Sequence, residues 1–223
     1  MQHLIEQERF EIEVLDRLNT GGFLRYLIFY GGTMLRLCHG LDRFSIDLDF
    51  RMVFPDQEKI LFEKLHTLFS KYYALKDAAQ KFFTLLFELQ SHEYPQRLKI
   101  EIRKSDSTFE TEQAIAYSPH SNRQVLVHAV TLQGMMAMKT AAFLDRGEIR
   151  DAYDLEFLVK RGISLIGSQK DLKKLLGRIN SLSNTDYRVK LGSILEPPKR
   201  SYYREHNFRI LKSVIEEKLA SGP

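Results

Sequence analysis

The spacing of apolar side chains changes period several times along the chain. Over residues 2–18, Leu4, Ile12, Leu15 and Leu18 recur near helical spacing, with Glu8 on the same stripe. This predicts an amphipathic helix, which Asn19-Thr20-Gly21-Gly22 ends. Leu24 to Tyr30 reads as a buried strand that Gly31-Gly32 breaks. Thr33 to His39 reads as a short helix with Met34, Leu35 and Leu37 turned inward. Ser45 to Arg51 then alternates strictly. Ser45, Asp47 and Asp49 share one face, and Ile46, Leu48 and Phe50 share the face that should anchor the strand in the core. Pro55-Asp56 opens a helix running to about residue 73, and Phe82–Leu89 and Arg97–Arg103 follow as strands.

Beyond Ser118-Pro119-His120-Ser121-Asn122 the period lengthens. A short strand at Gln124–Ala129 precedes helices expected near 131–145, 149–161, 168–181 and 206–220. The expected fold is therefore α/β: a small mixed β-sheet domain over residues 1–122, followed by a helical domain over 123–223.

Composition narrows the class. The 223 residues are 43% hydrophobic and 28% charged, which excludes a mostly disordered chain. Cys38 is the only cysteine, so an internal disulfide and a Cys-rich zinc module are both excluded. The first residues are acidic where a signal peptide is basic, and no apolar run approaches the roughly 18 residues of a membrane span. A soluble cytoplasmic protein with no membrane partner is expected. Lys and Arg number 33 against 29 Asp and Glu, and the whole surplus falls after residue 105. That permits an anionic partner without demanding one.

The chemistry concentrates between Gly31 and Phe50. Asp47 and Asp49, two apart on a strand, arise about 6.6 Å from one another and point the same way. Converging carboxylates repel by roughly 4 kcal/mol at 4 Å and an effective dielectric of 20. A proton, a basic side chain such as Arg43 or Arg51, or a divalent cation must offset that. Mg²⁺ favours such oxygen ligands together with substrate phosphates, an arrangement suited to phosphoryl or nucleotidyl transfer. Gly31 and Gly32 sit where strand gives way to helix, so backbone N–H groups there can cradle phosphate, and Thr33 adds a hydroxyl. Glu101 alternates with Ile100 and Ile102 and shares the polar face with Lys99, so it can complete an acidic trio as ligand or general base.

Gly31-Gly32-Thr33 followed by Arg43-x-Ser45-x-Asp47-Leu48-Asp49-Phe50 resembles the first motif of the AbiEii/AbiGii toxin-type nucleotidyltransferases, within the polymerase-β-like superfamily. Lys139 through Ala142, Arg146, Arg150, Asp151 and Asp154 to Leu155 resembles the family's later motif, K-x-x-A-x-x-x-R-x-x-x-R-D-x-x-D-L. The resemblance implies that Asp47, Asp49 and Glu101 hold the metal, Mg²⁺ or Mn²⁺. It implies that Gly31, Gly32 and Thr33 grip the NTP phosphates, with Arg43, Ser45, Lys139 and Arg146 in the nucleotide-binding set. Family members often carry Asp at the third acidic position, where this chain has Glu101.

From the residues themselves, Lys139 and Arg146 share a helix face, and Asp151 and Asp154 lie one turn apart on the next helix. Lys139 could neutralise a triphosphate with Asp154 positioning it. The alternative is a buried salt-bridge network that fixes a helical hairpin, which suits Asp151 and Arg150 as well as a functional role does, whereas Lys139 and Asp154 suit the functional role better. Arg188, Lys190, Lys199, Arg200, Arg204, Arg209 and Lys212 are interleaved with Tyr187, Tyr202, Tyr203 and Phe208. That mix suits either a nucleic-acid strand or a solvated helix edge. The expected activity is transfer of a nucleoside monophosphate from NTP to an acceptor hydroxyl, with RNA, tRNA-like, as acceptor. The resemblance implies the toxin of a toxin–antitoxin or phage-defence system, countered by an antitoxin protein. Transfer to a small molecule or protein, and a non-catalytic nucleotide-binding module, are the alternatives.

Overall fold

The computed structural model describes residues 2–104 and 109–221. Its elements run α1 (Gln2–Thr20), β1 (Leu27–Tyr30), α2 (Gly31–His39), β2 (Asp47–Met52), α3 (Glu58–Tyr72), β3 (Ala74–Gln80), β4 (Thr84–Gln90), β5 (Leu98–Arg103), β6 (Thr111–Tyr117) and β7 (Gln124–Val130). Then come α4 (Leu132–Arg146), α5 (Ile149–Lys160), α6 (Gln169–Asn180), α7 (Pro197–His206) and α8 (Arg209–Ala220), with a π-helical turn at Asp186–Leu191. Two compact units divide between Thr131 and Leu132, downstream of the expected boundary at residue 122, because β7 joins the sheet.

The α/β character is as expected, and the sheet is mixed, but it has seven strands in the order β3-β4-β5-β2-β1-β7-β6. Two of them, β3 and β6, lie outside the strands read from the sequence. Both are edge strands with mostly exposed or half-buried side chains, so neither carries an apolar alternation. The central strands do: Leu48 and Phe50 of β2 and Ile100 and Ile102 of β5 are fully buried. Ile46 was expected beside them in the core; it precedes β2 and is 46% exposed.

α1 breaks the simple amphipathic picture. Glu8, Glu11 and Glu13 are buried in the first unit. Glu8 accepts from Arg36 Nε and from Ser118 Oγ, and Glu13 accepts from the hydroxyls of Tyr73 (2.9 Å) and Tyr94 (3.0 Å). Neither carboxyl oxygen of Glu11 finds a hydrogen-bond partner among the described residues. Burial, then the Glu8 charge, push its carboxyl well above the ordinary range.

The second unit is helical. Glu156, fully buried on α5, accepts from the Tyr203 hydroxyl (2.9 Å) on α7 and from Leu211 N (3.1 Å) on α8, tying three helices together. The helix expected at 206–220 starts at Arg209, and a further helix, α7, precedes it, the two parted at Asn207, whose φ is +55°. Pro197-Pro198 opens α7 rather than forming a loop, since proline at the first helical turn has no N–H to waste.

Candidate active site

The sheet register assembles one acidic and basic face. β2 runs antiparallel to β1 and parallel to β5, pairing Tyr30 with Asp49, Asp47 with Lys99, Asp49 with Glu101, and Arg51 with Arg103. Side chains at paired positions share a face. Along β2 the order is therefore Asp47, Asp49, Arg51, and beside it on β5 stand Lys99, Glu101, Arg103. The apolar residues between them point into the core, which fixes the register, since a slip of one residue would bury the acids.

The glycine turn meets this face at Asp49. Gly31 has φ +89°, and a Cβ placed there would lie 2.5 Å from Asp49 Oδ2. A side chain at Gly32 would meet Arg43 Nη2 at 2.5 Å and Ser45 Oγ at 2.9 Å. Both glycines are thus required for close approach, and the structure brings Gly31, Gly32, Arg43, Ser45 and Asp49 into one cluster. The two glycines occupy the first turn of α2, whose N-cap residue Tyr30 supplies no side-chain hydrogen bond. Such a helix start favours anions through its leading N–H groups.

Thr33 is fully buried, and its hydroxyl donates to the Asp47 carbonyl oxygen at 2.6 Å. What it can offer a phosphate is its backbone N–H; the hydroxyl locks α2 onto β2. Arg43 is buried and donates from Nη1 to Phe44 O at 3.0 Å.

Glu101 stands beside Asp49 but is held by neighbours. Lys99 Nζ lies 2.9 Å from its Oε2, and Arg103 Nε lies 3.7 Å from its Oε1. The hydrogen bond to Glu101 raises the Lys99 ammonium above its usual range. Among the described residues no three carboxylate, histidine or cysteine side chains converge on one point as a closed metal site. The donor set that fits a hard divalent ion is the Asp47/Asp49 pair, with remaining positions open to phosphate oxygens. Burial, and next the Asp49 charge, push the Tyr30 phenol above its usual range.

In the second unit, the later motif forms an ion network. Lys139 Nζ lies 2.6 Å from Asp154 Oδ2 and 3.1 Å from Asp151 Oδ1. Arg146 Nε lies 2.7 Å from Asp151 Oδ2, and its Nη2 donates to Oδ1 at 2.8 Å. Both aspartates are fully buried and the Lys139 side chain is 10% exposed. Burial would raise the Asp151 carboxyl, but the Arg146 hydrogen bonds and the Lys139 charge outweigh it and hold it below the ordinary range. The network therefore fixes the α4–α5 hairpin.

The basic and aromatic segment at 187–212 separates into two populations. Tyr187, Tyr203 and Phe208 are buried, so these rings build the core of the second unit instead of a stacking surface. Arg200 donates from Nε to Leu195 O at 2.7 Å. Sequence reading also missed Arg51 and Arg103 as a pair, because their adjacency depends on the pairing of two strands far apart in the chain.

A seven-stranded mixed sheet with an acid pair set against a glycine turn defines a nucleotidyltransferase architecture. The family model for the nucleotidyl transferase AbiEii toxin of type IV toxin–antitoxin systems matches residues 13–206, and the chain belongs to that family. Three solved structures share the fold. A proposed nucleotidyltransferase from H. pylori superposes with a TM-score of 0.59 at 20% identity, covering 96% of each chain. JHP933 from Helicobacter pylori gives 0.54 at 19%, covering 96% of this chain and 95% of that one. MenT4, a nucleotidyltransferase toxin from Mycobacterium tuberculosis H37Rv, gives 0.55 at 17%, covering 94% and 85%. An uncharacterized protein from Aquifex aeolicus is 26% identical over 196 residues, 87% of this chain and 84% of its own length. Family membership makes the chain a nucleotidyltransferase toxin that uses an NTP. No described helix is long and apolar enough to cross a membrane.

Proposed function

We propose that this toxin moves a nucleoside monophosphate from an NTP to a hydroxyl of an RNA acceptor, tRNA-like, in a reaction dependent on Mg²⁺ or Mn²⁺. The observation that carries the reading is Asp47 and Asp49 on one face of β2, with Asp49 packed against Gly31 at the start of α2. The acceptor oxygen attacks the α-phosphorus, the bond to the β-phosphate breaks, and pyrophosphate leaves. The N–H groups of Gly31, Gly32 and Thr33 hold the departing phosphates, backed by Arg43 and Ser45. Asp47 and Asp49 hold the divalent ion, which when bound polarises the transferred phosphoryl group and offsets its charge. Glu101 takes the acceptor proton, with Lys99 orienting its carboxylate. The biological outcome we propose is growth arrest or phage defence, reversed by a separately encoded antitoxin protein.

The test is incubation of the purified protein with each labelled NTP, Mg²⁺ and total RNA. Label should enter an RNA species, and Asp49→Ala should abolish it while the protein stays folded. Undiminished labelling by Asp49→Ala would sink the mechanism. Label entering only a small molecule or protein would replace the acceptor, and NTP binding without any labelling would make the site non-catalytic.

A further inference from the structure

The face that bears the acids has two ends of opposite character. At one end Asp49 meets the glycine turn. At the other, about 6.6 Å further along β2, stands Arg51, with Arg103 beside it one strand away at about 4.8 Å. Two guanidinium groups on adjacent strands repel one another.

Among the described residues, little compensates them. Arg51 has no carboxylate partner among the described residues, and its Nε and Nη1 find no acceptor. Instead it lies 4.5 Å from the Phe109 ring centre and 5.5 Å from that of Tyr30. Arg103 is 54% exposed and has only a long 3.7 Å contact to Glu101, which Lys99 already holds at 2.9 Å. If the two aspartates are neutralised by a divalent ion, this end of the face carries surplus positive charge.

The same end carries the most exposed large aromatic rings of the first unit. Arg103 pairs with Thr84, and just before Thr84 the β3–β4 hairpin tip presents Phe82 at 85% and Phe83 at 72% exposure. Their rings meet edge to face at 4.5 Å, and Lys104 N donates to Phe83 O at 2.9 Å, docking the tip on the end of β5. Lys81, exposed, flanks it. Two exposed phenylalanines cost hydration unless something covers them. Rings bordered by cations suit a single-stranded nucleic acid, with phosphate on the arginines and bases on the rings.

Direction decides which phosphate belongs there. In phosphoryl transfer the attacking and leaving oxygens stand roughly in line, on opposite sides of the phosphorus. With the leaving pyrophosphate on the glycine turn, the attacking hydroxyl arrives from the arginine end. We infer that Arg51 and Arg103 seat a backbone phosphate of the acceptor strand and that Phe82 and Phe83 stack its bases. This rests on the nucleotidyl-transfer reading above and names the unpaired end of an RNA as the part of the acceptor that the first unit grips.

The experiment uses the full chain and a fluorescein-labelled single-stranded RNA oligonucleotide, with anisotropy followed across a salt series, alongside NTP KM measured at saturating RNA. Arg103→Gln should weaken RNA binding and flatten the log–log salt dependence by about 0.7, the share of one single-strand phosphate. Arg103→Lys should restore the slope. The double variant Phe82→Ser/Phe83→Ser should weaken binding about tenfold with its salt slope unaltered, as expected when stacking is lost and charge kept. NTP KM should hold within twofold throughout. Unchanged RNA affinity and slope in all three variants overturns the inference, as does an Arg103→Gln effect confined to NTP KM. Both results leave nucleotidyl transfer standing so long as Asp49→Ala abolishes labelling, so the two failures are separable.

Discussion

Substitution of Gly31 by alanine tests the site where it is tightest. Two penalties combine there. The backbone has φ +89°, a region an L-residue enters at about 1–2 kcal/mol. The new Cβ would also sit 2.5 Å from Asp49 Oδ2 and 3.1 Å from Asp49 Cβ, so the carboxylate must retreat by about 0.9 Å to reach ordinary contact at 3.4 Å. A displacement of about 1 Å in a positioned catalytic group costs on the order of 100-fold in rate. Gly31→Ala should therefore lose about 1–2 kcal/mol in urea unfolding and roughly two orders of magnitude in NMP transfer. Gly32→Ala is the companion. Its added methyl presses on Arg43 and Ser45 instead of Asp49, and its φ is ordinary. It should disturb NTP KM more than kcat and cost less stability. A Gly31→Ala enzyme within threefold of wild type in transfer and unchanged in unfolding midpoint would refute the claim that the turn and Asp49 form one site.

Other outcomes follow from the buried charges. Asp151→Ala removes the carboxylate that Lys139 and Arg146 share, and should cost about 3 kcal/mol, the low end of the range for breaking a buried pair because Lys139 keeps Asp154 and Arg146 is 46% exposed. Asp151 is held below its ordinary range, so its stabilisation is present above the usual carboxylate value and disappears as pH falls through the depressed one; acid unfolding curves of wild type and variant should converge there. Glu11 has the opposite sign. Its carboxyl is raised, so its contribution is complete below the ordinary value and is lost as pH climbs through the raised one. Glu11→Gln should then lose less stability than wild type as pH rises above the ordinary carboxylate value in thermal melts, and parallel curves would contradict the burial argument. Neutralising Arg200 and Arg204 together should leave RNA affinity within twofold, because Tyr187, Tyr203 and Phe208 are core and Tyr202 alone of the four rings is exposed; a large loss in a binding titration would restore that segment as the RNA face.

Much of the site could be read from local pattern. The alternation around Asp47 and Asp49, the Gly-Gly break before α2 and the polar phase of Glu101 all depend on neighbours within a few residues, and sequence displays those directly. Three kinds of fact escaped. β3 and β6 are edge strands, wet on much of their surface, and Ala-Leu-Lys-Asp-Ala-Ala-Gln gives period two nothing to act on. The apolar stripe of α1 takes in Glu8, but sequence cannot show that Arg36, Ser118, Tyr73 and Tyr94 arrive from distant segments to meet Glu8 and Glu13. Strand register is likewise invisible, so Arg51 and Arg103 read as unrelated surface cations. The Lys139 cluster was legible as a set of partners, and its geometry favours the structural network that the spacing had left open.

The short bond from the Thr33 hydroxyl to the Asp47 carbonyl has an engineering consequence. It makes the glycine turn and the acidic strand a single inheritable block spanning residues 31–49. Grafting the glycine segment into another scaffold would carry over a phosphate cradle whose distance to its acids is undefined. Retuning nucleotide choice in this protein should therefore begin outside that block, leaving the bolt between helix and strand untouched.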